Sequence, residues 1–397
     1  MGETKFTKWN DEFLKTMSLK TDPLGEAVIA EVIADNDFVA LRNLFTQLDY
    51  NSELSVDANL PKAVVNYFNA ELNLPHWADA QKINLAQSVF ATYCPEISLL
   101  LNFKSLPLCY ACKNGAKVLA ATGRLSESGQ DTSRLMRRLL ETAQMVINVM
   151  SPGGLRPDGK GIVTVKKVRL YHAAIRYFLL NKKYNPGGWD VEEYGEPINQ
   201  EEMAGTLMSF SALILDGLEQ LGVELTDEEK DAYIHCWNIV GHFIGISPEL
   251  YPTNYKEGWD LGIAIIKRNQ KEGEDGKFLT SSLLTFSSQF FKSRFFEQMP
   301  QYLIDYFLKD ISKKINVDIL KLLGVTKKVS LRTRLLGWFF LKLMHFGHKF
   351  EERSAFAQKL MNKYSLKYMQ ALIHNYLKNY DVEFHIPDSL NASWKMK

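Results

Sequence analysis

The sequence predicts an all-α fold, one large helical domain across residues 1–397. Three observations predict it. Apolar residues recur at helical spacing in segment after segment. Alternating runs of β type are scarce. Short clusters of Gly, Pro and Asn, rather than long linkers, separate the segments. Composition agrees, since 46% hydrophobic and 23% charged residues exclude both a disordered chain and a membrane-embedded one. A chain of 397 residues also suffices to bury a substantial core.

Each element has a local reason. Residues 25–48 open Gly-Glu-Ala-Val-Ile-Ala-Glu-Val-Ile-Ala, with apolar side chains on one helical face, and 134–150 repeats the pattern. Thr226 can cap a helix whose first turn is Asp227-Glu228-Glu229, with Glu229 in the capping-box position. Further helices are expected over 281–310, 331–346 and 353–379. The clearest breakers are Ser151-Pro152-Gly153-Gly154, Asn185-Pro186-Gly187-Gly188 and Gly273-Glu274-Asp275-Gly276. The last reads as a loop and is the one candidate lid. No internal repeat or low-complexity tract is present.

The net charge of +1 conceals an asymmetry. Residues 301–397 hold 17 Lys+Arg against 8 Asp+Glu, so +9, while the first 300 hold 30 against 38, so −8. A basic, amphipathic helical C-terminal part over 301–397 fits two arrangements. It can make peripheral contact with anionic lipid or an acidic partner, or present a solvated polar face. Nucleic acid is not expected, because no docking motif accompanies the charge. The N-terminus, Met1-Gly2-Glu3-Thr4-Lys5-Phe6, has no apolar export signal, and Phe6 stands where myristoylation needs Ser or Thr. Leu335 to Phe346 is too short to span a bilayer and contains Lys342. Four cysteines fit a reducing compartment, so the expected location is the cytoplasm.

Several motifs reduce to packing. Cys109 and Cys112 form a C-x-x-C with no second ligand pair for zinc and no His after it for covalent haem, so two small buried residues on a helix are expected. His235 and His242, seven apart, share a helix face without the acidic ligands of a metal bundle and read as core or cavity-edge residues. His345 and His348 lie on the basic C-terminal helix, where an exposed or interfacial role is expected. Gly159 and Gly161 lack the strand-turn-helix context of a dinucleotide site, and neither a P-loop nor a serine-hydrolase elbow occurs.

The chemistry concentrates between Thr122 and Arg176. Thr122-Gly123-Arg124-Leu125 leads to a helix holding Arg138-Leu139-Leu140-Glu141-Thr142. A Gly/Pro-rich loop from Ser151 to Gly161 then precedes Lys166-Lys167-Val168-Arg169-Leu170-Tyr171-His172-Ala173-Ala174-Ile175-Arg176. At helical spacing Arg169, His172 and Arg176 fall within about 60° of one another, and Arg138, Glu141 and Thr142 share a face of the preceding helix. The short loop lets these faces oppose. Arginine forks suit carboxylates such as haem propionates, His is the common proximal ligand of haem iron, and small Ala173 and Ala174 would admit a flat macrocycle. Spacing alone equally describes a part-buried His within a salt-bridge net.

The segment resembles the catalytic domain shared by the latex-clearing rubber oxygenases and the mpaB-type oxygenases. The likeness rests on R-L-x-H-A-A-x-R around His172 and on R-x-x-(K)-T, here Arg138 to Thr142. It continues through Pro197-Ile198-Asn199-Gln200 and the W-x-x-x-G-x-x-x-G helix Trp237 to Gly245, so it covers about residues 115–250. The resemblance implies haem b in an all-α, globin-like core and an oxygenase that uses dioxygen to cleave a carbon–carbon double bond in an isoprenoid chain. It makes His172 the proximal iron ligand. Arg169 and Arg176 would orient the haem or stabilise its surroundings, Glu141 and Thr142 would face the distal side, and Arg138 would be a nearby charge partner. One position departs, because the rubber oxygenases put Lys where this chain has Glu141. A glutamate brings negative charge and acid–base capacity in place of an amine. With no export signal, a smaller lipophilic substrate, an isoprenoid or fatty chain, is expected rather than an extracellular polymer. A non-catalytic haem sensor or carrier and a helical interaction protein without cofactor are the alternatives.

Overall fold

The computed structural model describes residues 8–34, 61–70, 72–121, 133–183, 185–290, 297–326, 329–352, 365 and 367. The fold is all-α: the described residues form helices and no strand, with one isolated bridge between Cys112 and Gln270. In chain order the helices are α1 (Asp11–Met17), α2 (Pro23–Ala34), α3 (Lys62–Asn69), α4 (Ala80–Leu100), α5 (Leu106–Ala111), α6 (Lys113–Ala121), α7 (Ser133–Met150) and α8 (Lys160–Leu180). They continue as α9 (Val191–Tyr194), α10 (Gln200–Phe210), α11 (Ala212–Gln220), α12 (Asp227–Ile244), α13 (Tyr255–Asn269), α14 (Glu274–Phe290), α15 (Met299–Ile315), α16 (Ile319–Leu322) and α17 (Leu331–Glu352). The parts of the expected helices that fall in 35–48 and across most of 353–379 lie outside the described residues.

At the centre stands α12, packed on α4, α8, α10, α11 and α13. Its ends are written locally. The Thr226 side chain accepts from the Glu229 N–H, the Glu229 carboxylate accepts from the Thr226 N–H, and three acids occupy the positive end of the helix dipole. At the other end Gly245 turns the chain at φ +91°. Tyr233, Cys236, Trp237, Ile239 and Val240 are all buried, and each large apolar side chain so buried contributes roughly 1.5–3 kcal/mol. The cluster around them extends from Trp9 to Leu341. A second cluster joins α2 and α3 to Leu170, Ala173, Ala174 and Phe178 of α8.

Sequence expectation and structure differ at Gly273–Gly276 and at Cys109–Cys112. Gly273 to Gly276 is no lid, because Glu274 and Asp275 form the acidic first turn of α14 and Gly276 packs on the Tyr110 carbonyl. Cys112 lies past the end of α5 in extended backbone, and both it and Cys109 are half-buried, so the pair is not two buried helical residues. Pro95 lies within α4, where it removes an N–H; the chain bends at Tyr93 and runs on into a π turn over Leu101–Ser105.

Candidate haem-binding face of α8

Helix α8 is enclosed on most sides. Ile162 and Val165 join the main core, Leu170, Ala173 and Ala174 face α2 and α3, and Ile175 and Leu179 pack with Val118. Arg169, His172 and Arg176 take the remaining stripe. Arg169 grips Asp22 in a two-pronged pair, Nε to Oδ2 at 2.7 Å and Nη2 to Oδ1 at 2.6 Å. Arg176 donates from Nε to Glu26 at 2.8 Å and from Nη1 to the Ile198 carbonyl at 3.0 Å. Asp22 also lies 3.9 Å from Nη2 of Arg176. Burial penalises the cation at Arg169, but the Asp22 bonds more than offset it and hold the guanidinium above its ordinary value. At Arg176 burial prevails over Glu26 and Asp22 and holds it below.

Sequence reasoning missed Asp22 and Glu26, which lie 147 and 150 residues from their partners. Both forks that would take a propionate therefore hold carboxylates of the protein itself. Ala173 and Ala174 lie in the seam with α2, where Gly25 lets Ala173 approach, and Ala173 also lines an open cavity with Glu26, Arg176 and Tyr177.

The other resembling blocks converge on the same knot. Gln200 donates from Nε2 to the carbonyls of Thr21 (2.7 Å) and Gly245 (2.9 Å), and its Oε1 accepts from the Ser247 N–H at 2.7 Å. Ile198, whose carbonyl receives Arg176, is held at φ +52°, a strained conformation for a β-branched residue. At Gly245 a Cβ would come within 2.7 Å of Asp22 and 2.8 Å of Arg169, so the ion pair occupies the space that a side chain would need.

Helix α7 runs antiparallel to α8. Asn148 donates to Thr164 at 3.0 Å, and Gly161 lies hard against the Asn148 carbonyl and Val149. Glu141 and Thr142 lie about two turns from Asn148 along α7, as Arg169 to His172 lie about two turns from Thr164 along α8. Glu141, Thr142 and His172 are half-buried, while Oε1 of Glu141 and Nδ1 of His172 are sealed from solvent. The exposure of His172 therefore resides elsewhere on the residue. The Arg138 backbone belongs to α7, but its side chain lies outside the described residues, as do Thr122 to Leu125.

His235 and His242 serve packing. His235 Nε2 accepts from the Asp79 N–H at 2.9 Å, and the rings of His235 and His242 both meet Trp77 edge-on. Among the described residues no three His, Cys, Asp or Glu side chains gather as a metal site; an iron carried by a porphyrin needs only one.

Residues 107–279 match the family model described as ER-bound oxygenase mpaB/B'/Rubber oxygenase, catalytic domain. This stretch, less than half of the chain, is similar to that catalytic domain. The rubber oxygenase of Streptomyces sp. (strain K30) is 24% identical over 249 residues, which cover 62% of this chain and 57% of that protein. The chain thus matches little more than half the length of that relative. The structure of latex clearing protein LCP in the closed state superposes with a TM-score of 0.65 at 19% identity, covering 83% of this chain and 84% of that one. It shares the fold. The mpaB/rubber oxygenase match begins at Pro107 in α5 and ends at Leu279 in α14, so it encloses α7, α8, the Gln200 knot and α12.

Proposed function

We propose that this protein is a haem b-dependent oxygenase in the cytoplasm that uses dioxygen on a lipophilic isoprenoid or fatty-chain substrate, with oxidative cleavage of a carbon–carbon double bond as its reaction. The observation that carries the proposal is the catalytic-domain match over 107–279, with His172 on a helix that Asp22 and Glu26 fasten in place. The residues fit the group. His172 is half-buried on the helix that carries Arg169 and Arg176, and an imidazole is a common ligand of haem iron. Bound haem would supply iron that activates dioxygen, and His172 would hold it.

The chain's own groups have separate tasks. The Asp22–Arg169 and Glu26–Arg176 pairs fix the rotation of α8 and so the aim of the His172 ring. The Glu141 carboxyl can hold or pass a proton and the Thr142 hydroxyl can donate to an oxygen atom; Arg138 is the charge partner that the resemblance implies.

The test is the absorption spectrum of the full chain purified from haem-replete cells, beside His172→Ala. A Soret band in the parent and its loss in a variant with an unchanged melting temperature is the expected result; a colourless parent that takes up no added haem overturns the proposal. Glu141→Gln addresses the chemistry. Retained haem with lost turnover is expected, and unchanged turnover removes Glu141 from the mechanism. Glu141 in place of the relatives' Lys favours a second reading, a haem carrier or sensor, which predicts the same spectrum without oxygen uptake on any alkene.

A further inference from the structure

Helix α17 has two unlike sides. Inward, Thr333 and Leu341 are buried, and Gly337 lets the chain press onto the Tyr302 ring of α15. Outward, Leu331, Leu335, Trp338, Phe339 and Phe346 are each between 57% and 74% exposed. At helical spacing these five fall within about 100° of arc, so they form one continuous apolar stripe rather than scattered surface residues. The solvated polar face expected as one arrangement of the basic C-terminal part is therefore not what this helix presents. A stripe of large aromatic and aliphatic groups left in water marks an interaction surface.

Charge selects the occupant. Residues 319–352 contain seven Lys and Arg (Lys321, Lys327, Lys328, Arg332, Arg334, Lys342 and Lys349) against two acids, Glu351 and Glu352 at the end of α17, beyond the stripe. Lys342 lies in the middle of the stripe and is exposed, and its long stem can lie along apolar neighbours while the amine reaches outward. Two copies meeting stripe to stripe would bring two such cationic segments together. Residues 353–397 carry seven Lys and Arg against three Asp and Glu, so the chain's own C-terminal segment repels as well. An anionic lipid surface offers both an apolar layer for the stripe and opposite charge for the lysines. Among the described residues no helix is long and apolar enough to cross a membrane, so the contact would be made in the plane of the headgroups.

We infer that the outward face of α17 docks the protein on an anionic bilayer surface, its Leu331–Phe346 stripe entering the headgroup–acyl boundary. The docking is independent of haem, and a lipophilic substrate taken from the bilayer would gain access by it.

Flotation with phosphatidylcholine vesicles, with and without about one-third phosphatidylserine, tests this on the full chain. The parent should float with the anionic vesicles, lose most of that binding in high salt and bind neutral vesicles weakly. Trp338→Ser with Phe339→Ser should weaken binding about tenfold or more without moving the melting temperature, since both side chains are exposed. Lys342→Glu should weaken it while sparing the apolar stripe. Three results overturn the inference: no flotation of the parent at low salt, equal flotation of the Trp338/Phe339 variant, or a stable dimer by light scattering that the same variant dissociates, which would make a second copy the occupant.

Discussion

Asp22→Asn is the most informative perturbation of the α8 anchor. The substitution keeps the side-chain volume and removes one charge. In the native protein the Asp22 carboxylate, 2% exposed, faces Arg169 at 2.6–2.7 Å and Arg176 at 3.9 Å. After the change Arg169 loses the carboxylate it grips, and Arg176 keeps Glu26, which is 37% exposed and sits at the edge. Breaking a buried pair by removing one partner costs about 3–5 kcal/mol, because the stranded cation stays out of water. Spread over 397 residues, at an unfolding entropy of roughly 2 cal/mol/K per residue, about 4 kcal/mol lowers the melting temperature by about 5 °C. Thermal and urea unfolding by circular dichroism would measure it. Arg169→Met in the same chain removes the stranded cation, so the double variant should recover about 2–3 kcal/mol relative to additivity. A loss below about 1 kcal/mol, or strictly additive losses, would refute the view that this pair fastens the helix.

Three further outcomes are expected. Gly245→Ala should destabilise by about 2–4 kcal/mol, because the residue sits at φ +91° and its new Cβ would strike Asp22 and Arg169; a melting temperature unchanged within error would contradict the close approach. The Glu202 carboxyl is pushed up to about 8, by burial first and by neighbouring Glu201 second, with its Oε1 sealed. A carboxyl whose folded value is raised contributes stability that is full below the ordinary range near 4.5 and lost as pH rises through about 8. Urea midpoints should therefore fall between pH 5 and about 8.5 in the parent and fall less in Glu202→Gln; identical slopes would remove this group from the profile. Glu141→Lys, which installs the lysine that the resemblance implies at this position, should shift the absorption spectrum of haem-loaded protein if the proposed haem face is right, by adding an amine there; an unshifted spectrum would remove position 141 from that face.

How much of this is legible in the sequence follows from range. The ends of α12 are legible, because Thr226, Glu229 and Gly245 act on backbone groups within one turn. Helix α8 and its Arg169–His172–Arg176 stripe are legible by periodicity. The partners of that stripe are not. Asp22 stands before Pro23 at the start of α2, and nothing local distinguishes it from an ordinary acid at a helix entrance until the fold brings Arg169 to it. Gly273 to Gly276 misleads because two glycines and two acids look alike in a loop and in a helix's first turn. For α17 periodicity finds an apolar stripe but not which way it faces; only the packing of Gly337 on Tyr302 shows that the Trp338 side points outward.

The R-L-x-H-A-A-x-R motif divides by physics into two kinds of residue. Leu170, Ala173 and Ala174 fill the seam with α2 and α3, and Arg169 and Arg176 lock the helix to Asp22 and Glu26. These five build a mount, and His172 is the member whose ring nitrogens can ligate iron. The division has a measurable consequence. A mount variant such as Asp22→Asn should lose stability and haem together, since the ring is misaimed as the helix loosens. His172→Ala should lose haem at little cost in stability, because the residue is only half-buried. Plotting the Soret intensity against melting temperature for both sets would separate them: two distinct trends support a fastened ligand, whereas a single common line would mean that His172 is one more strut of the seam.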